Sequence, residues 1–190
     1  MSEKQVELLD KVRVLNEELS KLNTEYWKEF SSFNDLKFWI VVLILVIPLI
    51  VLLWKIDRDK MLLLGFYGMN YHIWFAYTNS AAIRMGFIDY PYEILPILPS
   101  FALDASLVPA CYMLVYQWTL NRNKNFYLYS ILLSAVFAFI MKPILIMHDL
   151  FRMFKGWNYF TLFLFYVGLF IFSKVITNIF LKMQEQHGGK

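Results

Sequence analysis

The sequence predicts an all-α membrane protein: five transmembrane helices preceded by an N-terminal amphipathic helix with a heptad seam. Three observations carry that expectation. Hydrophobic residues make up 59% of the 190-residue chain and charged residues 17%, against roughly 45–50% and about 25% in a soluble domain. Charge is segregated, with 14 of the 33 charged side chains in the first 37 residues and most of the others in short clusters between apolar runs. Five of those runs reach the ~17–25 helical residues that cross about 30 Å of hydrocarbon.

Residues 1–35 form the first unit, a polar N-terminal helix. Leu8, Val12, Leu15, Leu19, Leu22 and Tyr26 recur at alternating spacings of four and three, with charged residues elsewhere. That is the a/d pattern of a short coiled coil. It spans under three heptads and ends where Glu29 falls on the seam. Two readings stand: an amphipathic helix lying on the membrane or on its own bundle, or a handle for a second copy or a partner helix, strengthened by tethering to a membrane. The polar start lacks the apolar core and small-residue cleavage site of a signal peptide, so the first apolar run is expected to stay as an anchor.

The second unit, 36–182, is the five-span bundle, with 183–190 as a flexible C-terminal tail. Span one, about 38–54, carries no charge and has Trp39 and Trp54 at its ends, where interfacial anchors belong. Pro48 should kink it. Span two is about 61–83. Span three, about 97–120, has Pro96 and Pro99 at its start and Pro109 inside. Span four is about 126–148 and span five about 157–181. The connectors are too short for a domain. Lys55, Arg58, Lys60, Arg122 and Lys124 lie in the first and third loops, against Arg84, Arg152 and Lys155 in the second and fourth. Five cations against three put the N-terminus outside and the C-terminus inside, although Lys21, Lys28 and Lys37 pull the other way.

Ionisable groups inside hydrocarbon cost ~2.5–3.5 kcal/mol each at the centre on insertion scales, so they pair or line a cavity. Asp104 and Lys142 fall at matching depths, about two turns from the N-terminal face, on spans joined by a short loop. A direct Asp104–Lys142 pair is expected; snorkelling of Lys142 along its stem is the rival. Pro143 should free the Phe139 carbonyl, which Lys142 could also reach. His72 shares a helix face with Gly68, Ala76 and Asn79. Asp104, Lys142, His72 and Asn79 are therefore the candidate ligand cluster, opening toward the N-terminal face, with Arg84, Asp89 and Glu93 as its mouth. Lys174 is expected to snorkel toward Lys182.

Other chemistry is excluded or unsupported. A net charge of +3 with no basic stripe gives no reason to expect nucleic acid. The single cysteine, Cys111, rules out an internal disulfide and reads as a packing residue. There is no HExxH, GxSxG or P-loop, and His72, Asp104 and Asp149 differ too much in depth to hold a metal. No cofactor is expected.

The stretch "PSFALDASLVPACYMLVYQW", followed by a short polar loop, a span ending "FIMKPILIMHDL" and then "GW", resembles a group of small multispan membrane proteins of spore-forming, low-GC bacteria. The likeness covers roughly 65–180 and rests on "SLVP", "MLVYQW" and the proline and tryptophan placement. That group has no assigned activity, so the resemblance implies a bacterial cytoplasmic membrane and no chemistry. The expected function is that of a structural, sensory or assembly-partner component, not an enzyme. The alternatives are a small transporter or ligand-binding protein using the polar cluster, and, third, a lipid-modifying enzyme.

Overall fold

The computed structural model describes residues 1–188, and it is all-α apart from one two-stranded ladder. Helix α1, Glu3–Phe30, starts at a capping box: Ser2 Oγ accepts from Gln5 N at 3.3 Å and Gln5 Oε1 accepts from Ser2 N at 2.8 Å. Surface pairs such as Lys11–Glu7 and Arg13–Glu17 run along it. None of its residues is buried. The heptad side chains Leu8, Val12, Leu15, Leu19, Leu22 and Tyr26 are 46–63% exposed. Only the last turn is tied down. Trp27 Nε1 donates to the Glu93 carbonyl at 2.9 Å, and the Glu93 N–H donates to Ser31 Oγ at 2.9 Å.

Helix α2, Leu36–Lys55, is capped by Asp35, which accepts from Lys37 N. Phe38 is its one buried residue, so the helix is apolar nearly all round and packs peripherally, against α4 and the turn before it. In the turn that Pro48 loosens, the Leu45 carbonyl accepts from Ser106 Oγ at 2.5 Å. The first connector is pinned to the end of α4: Gln117 accepts from Asp57 N and donates to the Lys55 carbonyl.

Helix α3, Met61–Arg84, is the centre of the bundle and packs on α4 and α7. It buries Tyr67, Tyr71, Phe75 and Asn79, one residue per turn on one face. The chain then crosses back through Phe101–Ala102, a π-helical turn over Leu103–Leu107, and α4, Val108–Asn121. The segment after α4 repeats the arrangement: α5 (Phe126–Val136), a π-helical turn (Phe137–Met141) and α6 (Lys142–Met147). Helix α7, Tyr159–Gly188, closes the bundle against α3 and α5. It runs through the region expected as a flexible tail; of that tail, residues 189–190 lie outside the described residues.

Both π turns are followed two residues later by a proline, Pro109 and Pro143. The N–H of the intervening residue bonds five residues back, Val108 to the Leu103 carbonyl and Lys142 to that of Phe137. The next bond in that register would need the missing proline N–H. The carbonyls left without it are Asp104 and Ala138. The expected freed group, Phe139, is thus corrected by one residue, because the wider turn shifts the register.

On the N-terminal face the second and fourth connectors join. Strand β1, Ile88–Asp89, pairs antiparallel with β2, Arg152–Met153. Phe87 stacks on Trp157 with ring centroids 5.1 Å apart, and Lys37 Nζ lies 3.1 Å from Asp149 Oδ2. Among the described residues, three helices, not the five expected, are long and apolar enough by themselves to cross a membrane: Leu36–Lys55, Phe126–Met147 and Tyr159–Gln186.

Candidate functional site

Under the ladder on the N-terminal face lies a buried polar cluster built from four elements. Asp104 sits in the first π turn, 5% exposed, and Lys142 follows the second, 1% exposed. Burial to that degree removes the snorkelling alternative. Among the described residues the two charges make no direct ion pair, and the expected contact is corrected: two neutral side chains stand between them. Lys142 Nζ donates to Tyr90 OH at 3.1 Å, and Tyr90 OH donates to Asn79 Oδ1 at 3.3 Å. Asn79 Nδ2 donates to Asp104 Oδ1 at 3.0 Å. Ser100 Oγ donates to the other carboxylate oxygen at 2.6 Å and accepts from Asn79 at 2.7 Å. The ammonium also lies 3.5 Å from the centroid of the Phe151 ring, a cation–π contact that offsets part of its lost hydration.

The local sequence explains the convergence. Asn79 is the outermost polar member of the buried α3 face, one turn inside Ala82. Ser100, at φ 61°, precedes the first π turn, where its carbonyl accepts from Leu103 N and Asp104 N. The spacing from Ser100 to Asp104 is the i,i+4 of one helical turn, which aims the hydroxyl at the carboxylate. His72 reaches the same residue from the other side. Its Nδ1 donates to the Asp104 carbonyl at 2.7 Å, the group that Pro109 leaves without a helical donor. A cavity of about 230 Å³ between α2, α3 and α4 borders His72, Ser106 and Pro109.

All four expected cluster residues therefore meet at or near Asp104. Of the expected mouth, Asp89 and Glu93 line a half-open cavity of about 530 Å³ between α1 and the second connector, with Tyr26, Trp27, Tyr90 and Arg152. Arg84 is exposed and is not part of that lining. Tyr90 is both the floor of the outer cavity and the roof of the buried cluster. Burial, with Asp89 nearby, pushes the Glu93 carboxyl up to about 8. Lys174 is also corrected: its Nζ donates to Tyr116 OH at 2.5 Å.

Sequence reasoning missed Tyr90, Ser100 and Phe151. Ser100 carried a signal in its i,i+4 spacing to Asp104. Tyr90 and Phe151 did not, because their roles depend on the pairing of two connectors distant in sequence. Among the described residues, no three His, Cys, Asp or Glu side chains gather closely enough to hold a metal ion. No protein-family model, no curated protein and no solved structure matches the chain.

Proposed function

We propose that this chain is a five-span, non-enzymatic component of a bacterial cytoplasmic membrane, N-terminus outside, that assembles with a second copy of itself through α1. The observation that carries the reading is the seam of α1: six large side chains from Leu8 to Tyr26, each about half exposed or more, on a helix that buries nothing. Apolar stripes of that length on a charged helix are costly to leave in water. Support for the two further crossings comes from length. At 1.5 Å per residue, the 24 residues of α3 span roughly 36 Å, more than the ~30 Å core. Its polar residues lower its overall apolarity, and Tyr67, Tyr71 and Asn79 point inward. Mass measurement of the full chain in detergent tests assembly. The expected result is an oligomer that Leu15→Glu with Leu22→Glu converts to a monomer of unchanged helix content; a wild-type monomer at every concentration sinks the reading.

A second reading, a small ligand-binding or transport protein, is favoured by one specific feature. The 530 Å³ cavity is floored by Tyr90, and behind Tyr90 stand Lys142, Asn79 and Asp104. A ligand seated there would alter that hydrogen-bonded chain. The test is a thermal-shift screen of small polar solutes on wild type and Tyr90→Phe; absence of any Tyr90-dependent stabilisation speaks against it.

A further inference from the structure

We propose that the bundle binds an anionic phospholipid, with one acyl chain in the groove between α2, α3 and α7 and the headgroup at Arg58. This goes beyond assembly through α1, which sits at the other end of the bundle, and requires no ligand in the outer cavity. The proposal starts from two helices that do not pack together. α2 and α3 are joined by the short connector 56–60, an arrangement that normally makes antiparallel neighbours. Here α2 leans on α4 and the first π turn instead, while α3 packs on α4 and α7. The space left is a cavity of about 1220 Å³, walled by Leu52 and Leu53 of α2, Phe66 and Met69 of α3, and Phe180 and Leu181 of α7.

The groove is apolar and long. It shares Leu52, Gly65, Met69 and Met113 with the cavity of about 230 Å³ that borders His72, so the two adjoin. Phe66 and Phe180, with ring centroids 4.9 Å apart, close the wall between α3 and α7. A Cβ at Gly65 would meet nothing within 4 Å, so the floor is open there. From Lys60 at the mouth to His72 at the inner end the chain rises roughly 18 Å, at 1.5 Å per helical residue. In the five-span arrangement that is the depth of one leaflet, about half of a ~30 Å core, with the mouth at headgroup level. Burying an acyl chain there removes apolar surface from both the lipid and the α2–α3 gap.

Charge at the mouth selects the headgroup. Arg58, Asp59 and Lys60 line it. Arg58 gives one guanidinium N–H to the Leu53 carbonyl at 3.2 Å and keeps the others for a phosphate. Asp57 is spent on Lys60 at 2.7 Å and on Asn121 at 3.1 Å, which leaves Asp59 as the connector's other carboxylate. Lys55, over the Trp54 ring at 3.9 Å, and Arg122 and Lys124 in the connector after α4 add cations on the same face. Five cations against two carboxylates make a basic pocket between helices, the setting that suits an anionic headgroup. The mouth is also held in place: Gln117 accepts from Asp57 N at 2.7 Å and donates to the Lys55 carbonyl at 2.9 Å. Arg58 is thereby positioned before a lipid arrives. With the N-terminus outside, this mouth lies in the inner leaflet, the one with the negative surface potential.

Native mass spectrometry of the full chain in mild detergent, with phosphatidylglycerol or phosphatidylcholine of equal chain length added, tests the site. Wild type is expected to hold one lipid per chain and to prefer phosphatidylglycerol about tenfold. Gly65→Leu places a side chain in the open floor. It should lose most of the bound lipid, while helix content and lipid-free melting temperature stay at wild-type values. Gly168→Leu, at an exposed position of α7 outside the groove where a Cβ also meets nothing within 4 Å, should bind like wild type. Arg58→Gln should keep a lipid but lose most of the preference between headgroups. Glycerol 1-phosphate, a headgroup without a chain, should leave the melting temperature unchanged. A wild type that holds no phosphatidylglycerol overturns the site. So does a Gly65→Leu variant that binds like wild type, equal uptake of the two lipids by wild type, or stabilisation by glycerol 1-phosphate as large as that by the lipid.

Discussion

Lys142 and Asp104 are joined without touching: the ammonium ends on the Tyr90 hydroxyl, and the carboxylate is held by Asn79 and Ser100. Two π turns put them there, each set by a proline two residues beyond it. The electrostatic consequence is moderate. Direct contact at about 4 Å would supply roughly 4 kcal/mol at an effective dielectric near 20, and interposing two side chains reduces that. The pair is tolerated because every member has a partner, not because the two charges attract strongly.

Tyr90 should therefore matter as much as either charge. Tyr90→Phe leaves the Lys142 ammonium with aromatic rings but no oxygen acceptor, and a loss of about 1–3 kcal/mol is expected. Adding Lys142→Met should recover part of it, since the buried charge is then gone. Thermal melting in detergent of the two single variants and the double variant decides; strictly additive losses would show that the hydroxyl does not serve the ammonium.

Glu93 gives a pH dependence whose sign is fixed. Its carboxyl is raised from an ordinary value of 4.5 to about 8 by burial and by Asp89. Between those values the folded chain holds a proton that the unfolded chain has lost. Stability from this group is thus fully present below about 4.5 and falls as pH rises toward about 8. Melting temperatures from pH 5 to 8.5 should decline in wild type, and Glu93→Gln should flatten that decline. An unchanged slope in Glu93→Gln would assign it elsewhere.

The glycines of α3 separate packing from propensity. A Cβ at Gly68 would overlap Met113 Sδ and lie 2.6 Å from its Cγ, whereas one at Gly65 meets nothing within 4 Å. Gly68→Ala should cost about 1–3 kcal/mol through overpacking, and Gly65→Ala should stay within about 0.5 kcal/mol of wild type. Equal effects at the two positions would mean that the flexible Met113 side chain swings aside into the cavities it borders.

Much of the helical plan was legible because hydrophobic run length and proline position are local signals. Helices α2 and α3 begin and end within two residues of the expected spans. Depth counting also brought Asp104 and Lys142 to one level, since both are fixed by the rise of a helix. The hydrogen-bonded link between them was not legible. Tyr90 reaches the cluster only because Asp89 and Arg152 pair across two connectors, and no periodicity encodes that ladder. The end of α7 was misjudged for a different reason: polar residues such as Gln184 and Glu185 read as a tail, yet they continue a helix that has already left the apolar region.

The link between Pro109 and His72 provides the sharpest test of the π-turn account. Pro109 cannot donate to the Asp104 carbonyl, and His72 Nδ1 does so from α3 at 2.7 Å. His72→Phe keeps a ring of similar bulk but leaves that carbonyl without its donor, for an expected cost of about 1–3 kcal/mol. Pro109→Ala restores a backbone N–H, which can bond the same oxygen and remove the need for the imidazole. In the Pro109→Ala background, His72→Phe should therefore cost distinctly less, a coupling of about 0.5–2 kcal/mol. The cycle is measured by thermal or denaturant unfolding of four proteins. If the His72→Phe cost is the same in both backgrounds, within about 0.3–0.5 kcal/mol, the histidine is a packing residue and its bond to Asp104 is incidental. If the coupling is present, the proline creates the acceptor and the histidine fills it, so the turn that carries Asp104 is held open by two residues on different helices.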